Sequence, residues 1–266
     1  MEGESITIEG PGGPVGFSVT GSGPALVLVA GLGSTRRIWG SLPAILGQRF
    51  TVVCPDNRGV GASRGGEAFT LAGAARDLVA ILDHLGLERA SLLGASMGGA
   101  IALVTARDAP ARVERLVLAS CAAHLSHHGR ASLGLLSRLL ELDPPDLVGL
   151  ALAALTFAPP FHERHPSIIR EVGELYGLDP RDVEGARAQA RHLLEGWDLR
   201  PNLPDIRVPA LVVAGRRDAV VSVEDTELLA SGLPHATFLE LPDAGHSVLA
   251  EGGVPVLERI QDFISG

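Results

Sequence analysis

The strongest constraint on the fold is an alternation of two hydrophobic periods. Unbroken apolar runs bounded by Gly, Pro and Asp occur at 25–31 (ALVLVAG), 50–56 (FTVVCPD), 90–95 (ASLLGA) and 114–120 (ERLVLAS). Runs of this kind suit strands covered on both faces. Between the second and third, Leu71, Ala74, Ala75, Leu78, Ile81, Leu82 and Leu85 recur at helical spacing, with Thr70 as N-cap and Gly86 as stop. A second helix-compatible stretch, 97–108, separates the third run from the fourth. Strand, helix and strand in succession build right-handed parallel crossovers. Two earlier, partly polar runs, SITIEG at 5–10 and VGFSVTG at 15–21, read as an antiparallel edge. The expected class is therefore α/β, with a mostly parallel central sheet flanked by helices.

From 122 to 203 no strand pattern appears. The segment is rich in Leu, Ala, His and Arg and is broken at Pro144-Pro145, Pro159-Pro160, Pro166 and Pro180, which reads as several short helices. Strand signals return at 209–215 (PALVVAG) and 237–242 (TFLELP), with helices between them and at 253–264. At 266 residues and 46% hydrophobic composition, one large core with an insertion is the simplest organisation, and wholesale disorder is excluded. The expected division is a core of residues 1–121 and 204–266 around a helical insertion at 122–203.

Composition narrows the partners. The net charge is −9, and all 22 basic residues are Arg without a basic stripe, so nucleic acid is not expected. The longest apolar stretch, 147–158, is shorter than the roughly 18 residues a membrane span requires. The start, MEGESITIEG, has neither a basic region nor an apolar one, so a secretory signal is not expected and a cytoplasmic location is. Cys54 and Cys121 lie in strand-like runs and are expected to be reduced core residues.

The chemistry centres on SLLGASMGGAIAL, where an apolar strand runs into Gly94-Ala95-Ser96-Met97-Gly98 and then into a helix former. A Gly-x-Ser-x-Gly turn in that setting exposes the serine hydroxyl at a helix N-terminus, and small neighbours avoid clashes there. A serine hydroxyl is a weak nucleophile and needs a base oriented by a carboxylate. His246, in the short loop LPDAGHS after the last strand, is the expected base. Asp218, in GRRDAVV after the 209–215 strand, is the expected orienting acid, and Asp243 is its competitor. The order Ser96, Asp218, His246 accompanies an elbow of this kind. The developing oxyanion needs preorganised donors. Met97 N–H is one candidate; Leu32 N–H, between Gly31 and Gly33, is the other, although an ordinary turn would explain the same glycines.

On AGLGSTRRIW at 30–39, PDNRGVGAS at 55–63, GASMGGA at 94–100, GRRDAVV at 215–221 and DAGHS at 243–247, the chain resembles the α/β-hydrolase fold family. Within it, the flavour is similar to 3-oxoadipate enol-lactonases, small carboxylesterases and cofactor-free haloperoxidases. Ala30 stands where such proteins often carry His. The resemblance implies that the insertion is a helical cap shaping the substrate pocket. Its Leu and Ala residues, with Phe157 and Phe161, predict an apolar cavity suited to a small or medium ester or lactone. Trp39 either walls that cavity or belongs to the core. Asp56 and Arg58 are expected to hold their loop. Arg36 and Arg37 are expected in solvent, with a substrate carboxylate as their other use.

The expected activity is ester or lactone hydrolysis through an acyl-Ser96 intermediate, with no cofactor. His124, His127 and His128 lack accompanying acids or thiols at ligand spacing, so no metal is expected. Ser96 counts against the dehalogenases and epoxide hydrolases of the same fold, which use an Asp nucleophile. Carbon–carbon bond hydrolysis and perhydrolase or haloperoxidase chemistry remain as alternatives on the same triad. A non-catalytic protein holding a small ligand is the alternative from another class.

Overall fold

The computed structural model describes residues 4–141, 145–175 and 179–266; the first three residues and the break expected at Pro144 lie outside them. Eight strands form one sheet: β1 (Glu4–Gly10), β2 (Gly13–Thr20), β3 (Ala25–Val29), β4 (Thr51–Pro55), β5 (Ala90–Ala95), β6 (Val113–Ala119), β7 (Ala210–Gly215) and β8 (Ala236–Leu241). Their order is β1-β2-β4-β3-β5-β6-β7-β8. β1 pairs antiparallel with β2, and β2 with β4; every later pairing is parallel. The expected mixed sheet with an antiparallel edge is what forms.

The unbroken apolar runs bury both faces of that sheet. Val27 and Val29 of β3 join a cluster with Leu78, Ile81, Ile101 and Leu229. The intervening Leu26 and Leu28 face the other way, against Leu46, Val256 and Ile260. Helices Leu71–His84, Met97–Asp108 and Val223–Gly232 thus cover one face, and Leu42–Leu46 and Gly253–Ser265 the other. Thr70 caps its helix as expected, its hydroxyl accepting from Gly73 N at 2.9 Å. Gly86 follows that helix at φ 65°, the left-handed geometry of a glycine stop.

Between β6 and β7 lie helices His127–Leu139, Pro145–Thr156, Pro159–Arg164, Ile168–Leu175 and Pro180–Glu195. Three of the prolines read from sequence as breaks are helix starts, where a missing N–H costs nothing. The chain leaves and re-enters the core side by side: His124 bridges Asp198, and Leu199 N donates to Ala123 O at 2.7 Å. Among the described residues no helix is long and apolar enough to cross a membrane.

The Pro180–Glu195 helix seats on the loop after β4 at a glycine-to-glycine contact. A Cβ added at Gly185 would lie 1.9 Å from Gly59 O. Gly to Ala inside a helix ordinarily stabilises by about 1 kcal/mol. Here the collision reverses the sign: Gly185→Ala is expected to destabilise by ~1–3 kcal/mol, as overpacked contacts do. A thermal melt checks this, and a raised melting temperature would mean the helix is not seated there.

Candidate active site

β3 connects leftward to β4 and β5 rightward to β6, so a crevice opens between their carboxyl ends, the position where open α/β sheets bind ligands. Ser96 sits at its floor, one residue beyond β5, with φ 55° and ψ −120°. That backbone costs about 1–3 kcal/mol, and surrounding contacts must impose it. They do so through close approaches that only glycine permits. A Cβ at Gly98 would fall 2.0 Å from Val29 O, at Gly94 2.3 Å from Gly98 O, and at Gly99 2.4 Å from Cys121 Sγ.

Asp218 and His246 meet at the ends of β7 and β8. His246 Nδ1 donates to Asp218 Oδ2 at 2.8 Å, while Asp218 Oδ1 accepts from Val220 N at 2.8 Å and Val221 N at 2.9 Å. An ionised carboxylate only accepts, so Nδ1 carries the hydrogen and Nε2 keeps its lone pair. The Asp218 carboxylate is 2% exposed and fully engaged. Asp243, the competitor, is exposed and pairs with Arg217 at 2.8 Å.

Ser96 and His246 line one cavity of about 490 Å³. Among the described residues no hydrogen bond joins Ser96 Oγ to the imidazole, a contact that in such sites often tightens only around substrate. Gly31 presses its backbone on Ser96: a Cβ there would lie 3.4 Å from Ser96 Cβ. Leu32 therefore enters the crevice beside Ser96, and Met97 opens the helix immediately after it. The first N–H groups of a helix lack intrahelical partners and present partial positive charge.

The remaining wall is mostly apolar, with the hydroxyl residues Ser34, Ser41, Thr156 and Ser247 among it. It includes Trp39, Ile38, Leu136, Leu140, Leu152 and Phe157, and among the described residues it contains no Arg, Asp or Glu. Trp39 both lines the cavity and belongs to the core. Phe161, expected in the cavity, instead stacks behind Phe157 with ring centroids 5.1 Å apart. Arg36, expected in solvent, donates from backbone and side chain to the buried Asp56, at 2.7 and 2.5 Å. Arg37 is exposed. Arg58 is buried, forked on Asp77 at 2.5 and 2.8 Å, so Asp56 and Arg58 hold the loop as expected. Burial pushes the Cys54 and Cys121 thiols up to about 12.

Sequence reasoning missed several supports, Asn57 and Glu251 among them. Asn57 Nδ2 donates to Ala30 O at 2.9 Å, fixing the segment that leads into Gly31. Glu251 accepts from Gly245 N at 2.9 Å and Ala158 N at 3.0 Å, and Ser247 N donates to Thr156 O at 2.8 Å. The residues on either side of His246 are thereby tied to residues 156–158 of the helical insertion. Asn57 stood inside a recognisable turn motif; nothing local marked Glu251.

Comparison with known proteins identifies the family of the fold. A family model described as alpha/beta hydrolase fold matches residues 24–253, and the chain belongs to that family. It is a hydrolase of this fold, 32% identical over 226 residues to 3-oxoadipate enol-lactonase 2 of Acinetobacter baylyi, covering 84% of this chain and 82% of that one. A thermophilic esterase from Thermogutta terrifontis superposes with a TM-score of 0.86 at 26% identity, covering 98% of each chain. The enol-lactonase from Burkholderia xenovorans LB400 superposes with a TM-score of 0.87 at 25% identity, covering 98% of this chain and 100% of that one.

Glu251 yields a pH prediction. Burial raises its pKa above the ordinary 4.5, the two amide bonds lower it, and the charge of Asp218 raises it, with a net rise. A carboxyl whose folded pKa is raised releases its proton first in the unfolded chain, so stability is lost as pH climbs through the window above 4.5. Glu251→Gln keeps an acceptor oxygen without the charge. Its melting temperature is expected to gain on wild type as pH rises from about 4 to 7; a difference independent of pH would show that the carboxyl is not shifted.

Proposed function

We propose that this hydrolase cleaves an uncharged, apolar carboxylic ester or lactone through an acyl-Ser96 intermediate. The observation that carries the reading is the Asp218–His246 pair at 2.8 Å, opening with the strained Ser96 onto one apolar cavity. In this reading the helices of 122–203 act as the cap, supplying Leu136, Leu140, Leu152 and Phe157 to the cavity wall.

The mechanism follows from the atoms. His246 Nε2 takes the Ser96 hydroxyl proton as Oγ attacks the carbonyl carbon. Asp218 holds the tautomer and stabilises the imidazolium that forms. The N–H groups of Leu32 and Met97 receive the oxyanion, each such donor being worth about 2.7–4 kcal/mol in the transition state. Collapse breaks the carbonyl–alkoxy bond, and Nε2–H protonates the departing alcohol. Water then attacks the acyl-enzyme, with His246 taking its proton, and the acid leaves as Ser96 regains its hydrogen. No step requires a metal or an organic cofactor.

The cavity wall also discriminates. An enol-lactone of a dicarboxylic acid retains a free carboxylate, and burying an unpaired charge against apolar walls costs several kcal/mol. Arg36 is occupied by Asp56, and the described wall contains no guanidinium. An uncharged acyl group fits this surface better.

Hydrolysis of p-nitrophenyl esters from acetate to decanoate, with fluorophosphonate labelling read by intact mass, tests the reading. Turnover should peak at an acyl chain longer than acetate, fall at least tenfold for an acyl chain ending in a carboxylate, and vanish with the label in Ser96→Ala. Asp218→Asn should lower kcat by roughly 10³–10⁴ through the wrong tautomer. Labelling without ester turnover would move the substrate to a lactone or a carbon–carbon bond. Absence of labelling would leave a ligand-binding protein.

A further inference from the structure

The helical insertion reaches the crevice by a second route, through a buried amide. Gln189, on the Pro180–Glu195 helix, is fully buried, although Gln is a residue type found mostly at surfaces. Both ends of its side chain are committed to backbone. Its Oε1 accepts from Gly33 N at 2.8 Å, and its Nε2 donates to Arg58 O at 2.9 Å. One side chain of the insertion thus joins the loop after β3 to the loop after β4.

The loop it grips is a tight turn with two possible states. Ser34 N donates to Gly31 O at 3.3 Å, and Gly33 adopts φ 70°, as the third residue of a type II turn does. Rotating the central peptide between Leu32 and Gly33 converts such a turn to type I. That rotation would turn the Leu32 carbonyl toward Gln189 Oε1, oxygen against oxygen, in place of the Gly33 N–H. Gln189 therefore selects the state seen; the Leu32 N–H belongs to the preceding peptide, which this rotation does not turn, so Gln189 acts on it by anchoring the turn at the next residue.

We propose that Gln189 is a positioning residue that sets the Leu32 amide for the oxyanion and makes its placement depend on docking of the insertion. The inference rests on the serine-hydrolase reading above. Docking of the same helix is anchored on the same face by Asp182, whose Oδ1 accepts from Gly61 N at 2.9 Å and from Arg64 at 2.7 Å. Gly185 touches Gly59 one turn before Gln189. Asp182, Gly185 and Gln189 follow the i, i+3, i+7 spacing of a single helix face. A helix seated by the first two delivers the third to Gly33, and an undocked helix leaves the turn beside Ser96 without that anchor.

Gln189→Met removes both hydrogen bonds at nearly constant volume, and Gln189→Glu keeps an oxygen to accept from Gly33 and, as the neutral acid that burial favours, a hydroxyl to donate to Arg58 O. With a neutral p-nitrophenyl ester, Q189M is expected to lose 10–100-fold in kcat with KM changed less than threefold. Its affinity for a trifluoromethyl ketone, which forms a tetrahedral oxyanion on serine, should fall by a similar factor. Q189E should retain both properties within threefold. Equal losses in the two variants, or a lowered melting temperature in Q189M with kcat and ketone affinity intact, would overturn the proposal and leave Gln189 a packing residue. If Q189M proves too unstable to assay, Q189E decides alone: values within threefold uphold it, and a tenfold fall in both overturns it. Wild-type protein that neither takes the fluorophosphonate label nor turns over ester would instead remove the underlying serine-hydrolase reading.

Discussion

The reversal of chain direction at Ser96, at φ 55° and ψ −120°, is imposed by packing, and much of the site is arranged around it. β5 ends and the Met97–Asp108 helix begins within one residue, so strand and helix must pack back on each other almost without clearance. Gly94, Gly98 and Gly99 are the residues at the contact, and each lies where a Cβ would overlap backbone or Cys121. Sheet and helix together bury Leu92, Leu93, Ile101 and Leu103 completely, which offsets the strain. The half-buried Ser96 is thus held by a strand and a helix anchored in the fully buried core.

Around that fixed point the other groups arrive on loops, and each loop is held by hydrogen bonds from elsewhere in the chain. Asn57 fixes the backbone at Ala30, Asp56 holds Arg36, and Gln189 holds Gly33, so the turn containing Leu32 is tied at three places. The His246 loop is tied by Glu251 and by the Ser247 to Thr156 bond. Asp218 needs less outside help, because its own turn supplies two N–H groups and the imidazole a third. Charge balance follows the same economy. The buried carboxylates of Asp56 and Asp77 are each met by a guanidinium, as burial of an ion requires.

The sheet was legible in the sequence because strands covered on both faces leave unbroken apolar runs, and the eight expected strands form within a residue or two of their expected bounds. The placement of Ser96, Asp218 and His246 just beyond strand ends was legible for a related reason: each follows an apolar run in a short loop that contains glycine. The supports were not. The bond from Gly33 to Gln189 spans 156 residues, and nothing in either neighbourhood signals it. Gln189 reads locally as one more polar helix residue. Arg36 reads as a surface cation because its partner, Asp56, belongs to another loop. Phe161 reads as cavity lining because composition cannot tell the front of an aromatic stack from its back.

These differences divide the molecule by how its parts are specified. The core is specified locally, by period and by glycine, and so is the geometry at Ser96. The wall of the cavity is specified by how helices of the insertion dock, through contacts between residues far apart in sequence. Substitutions on the cavity face of those helices can therefore reshape the cavity while β5 and its elbow stay as they are. Substitutions on the docking face at Asp182, Gly185 or Gln189 act differently, because that face also reaches the loops beside Ser96. The two roles thus fall to different helices of the insertion: His127–Leu139, Pro145–Thr156 and Ile168–Leu175 line the cavity, and Pro180–Glu195 reaches the loops beside Ser96.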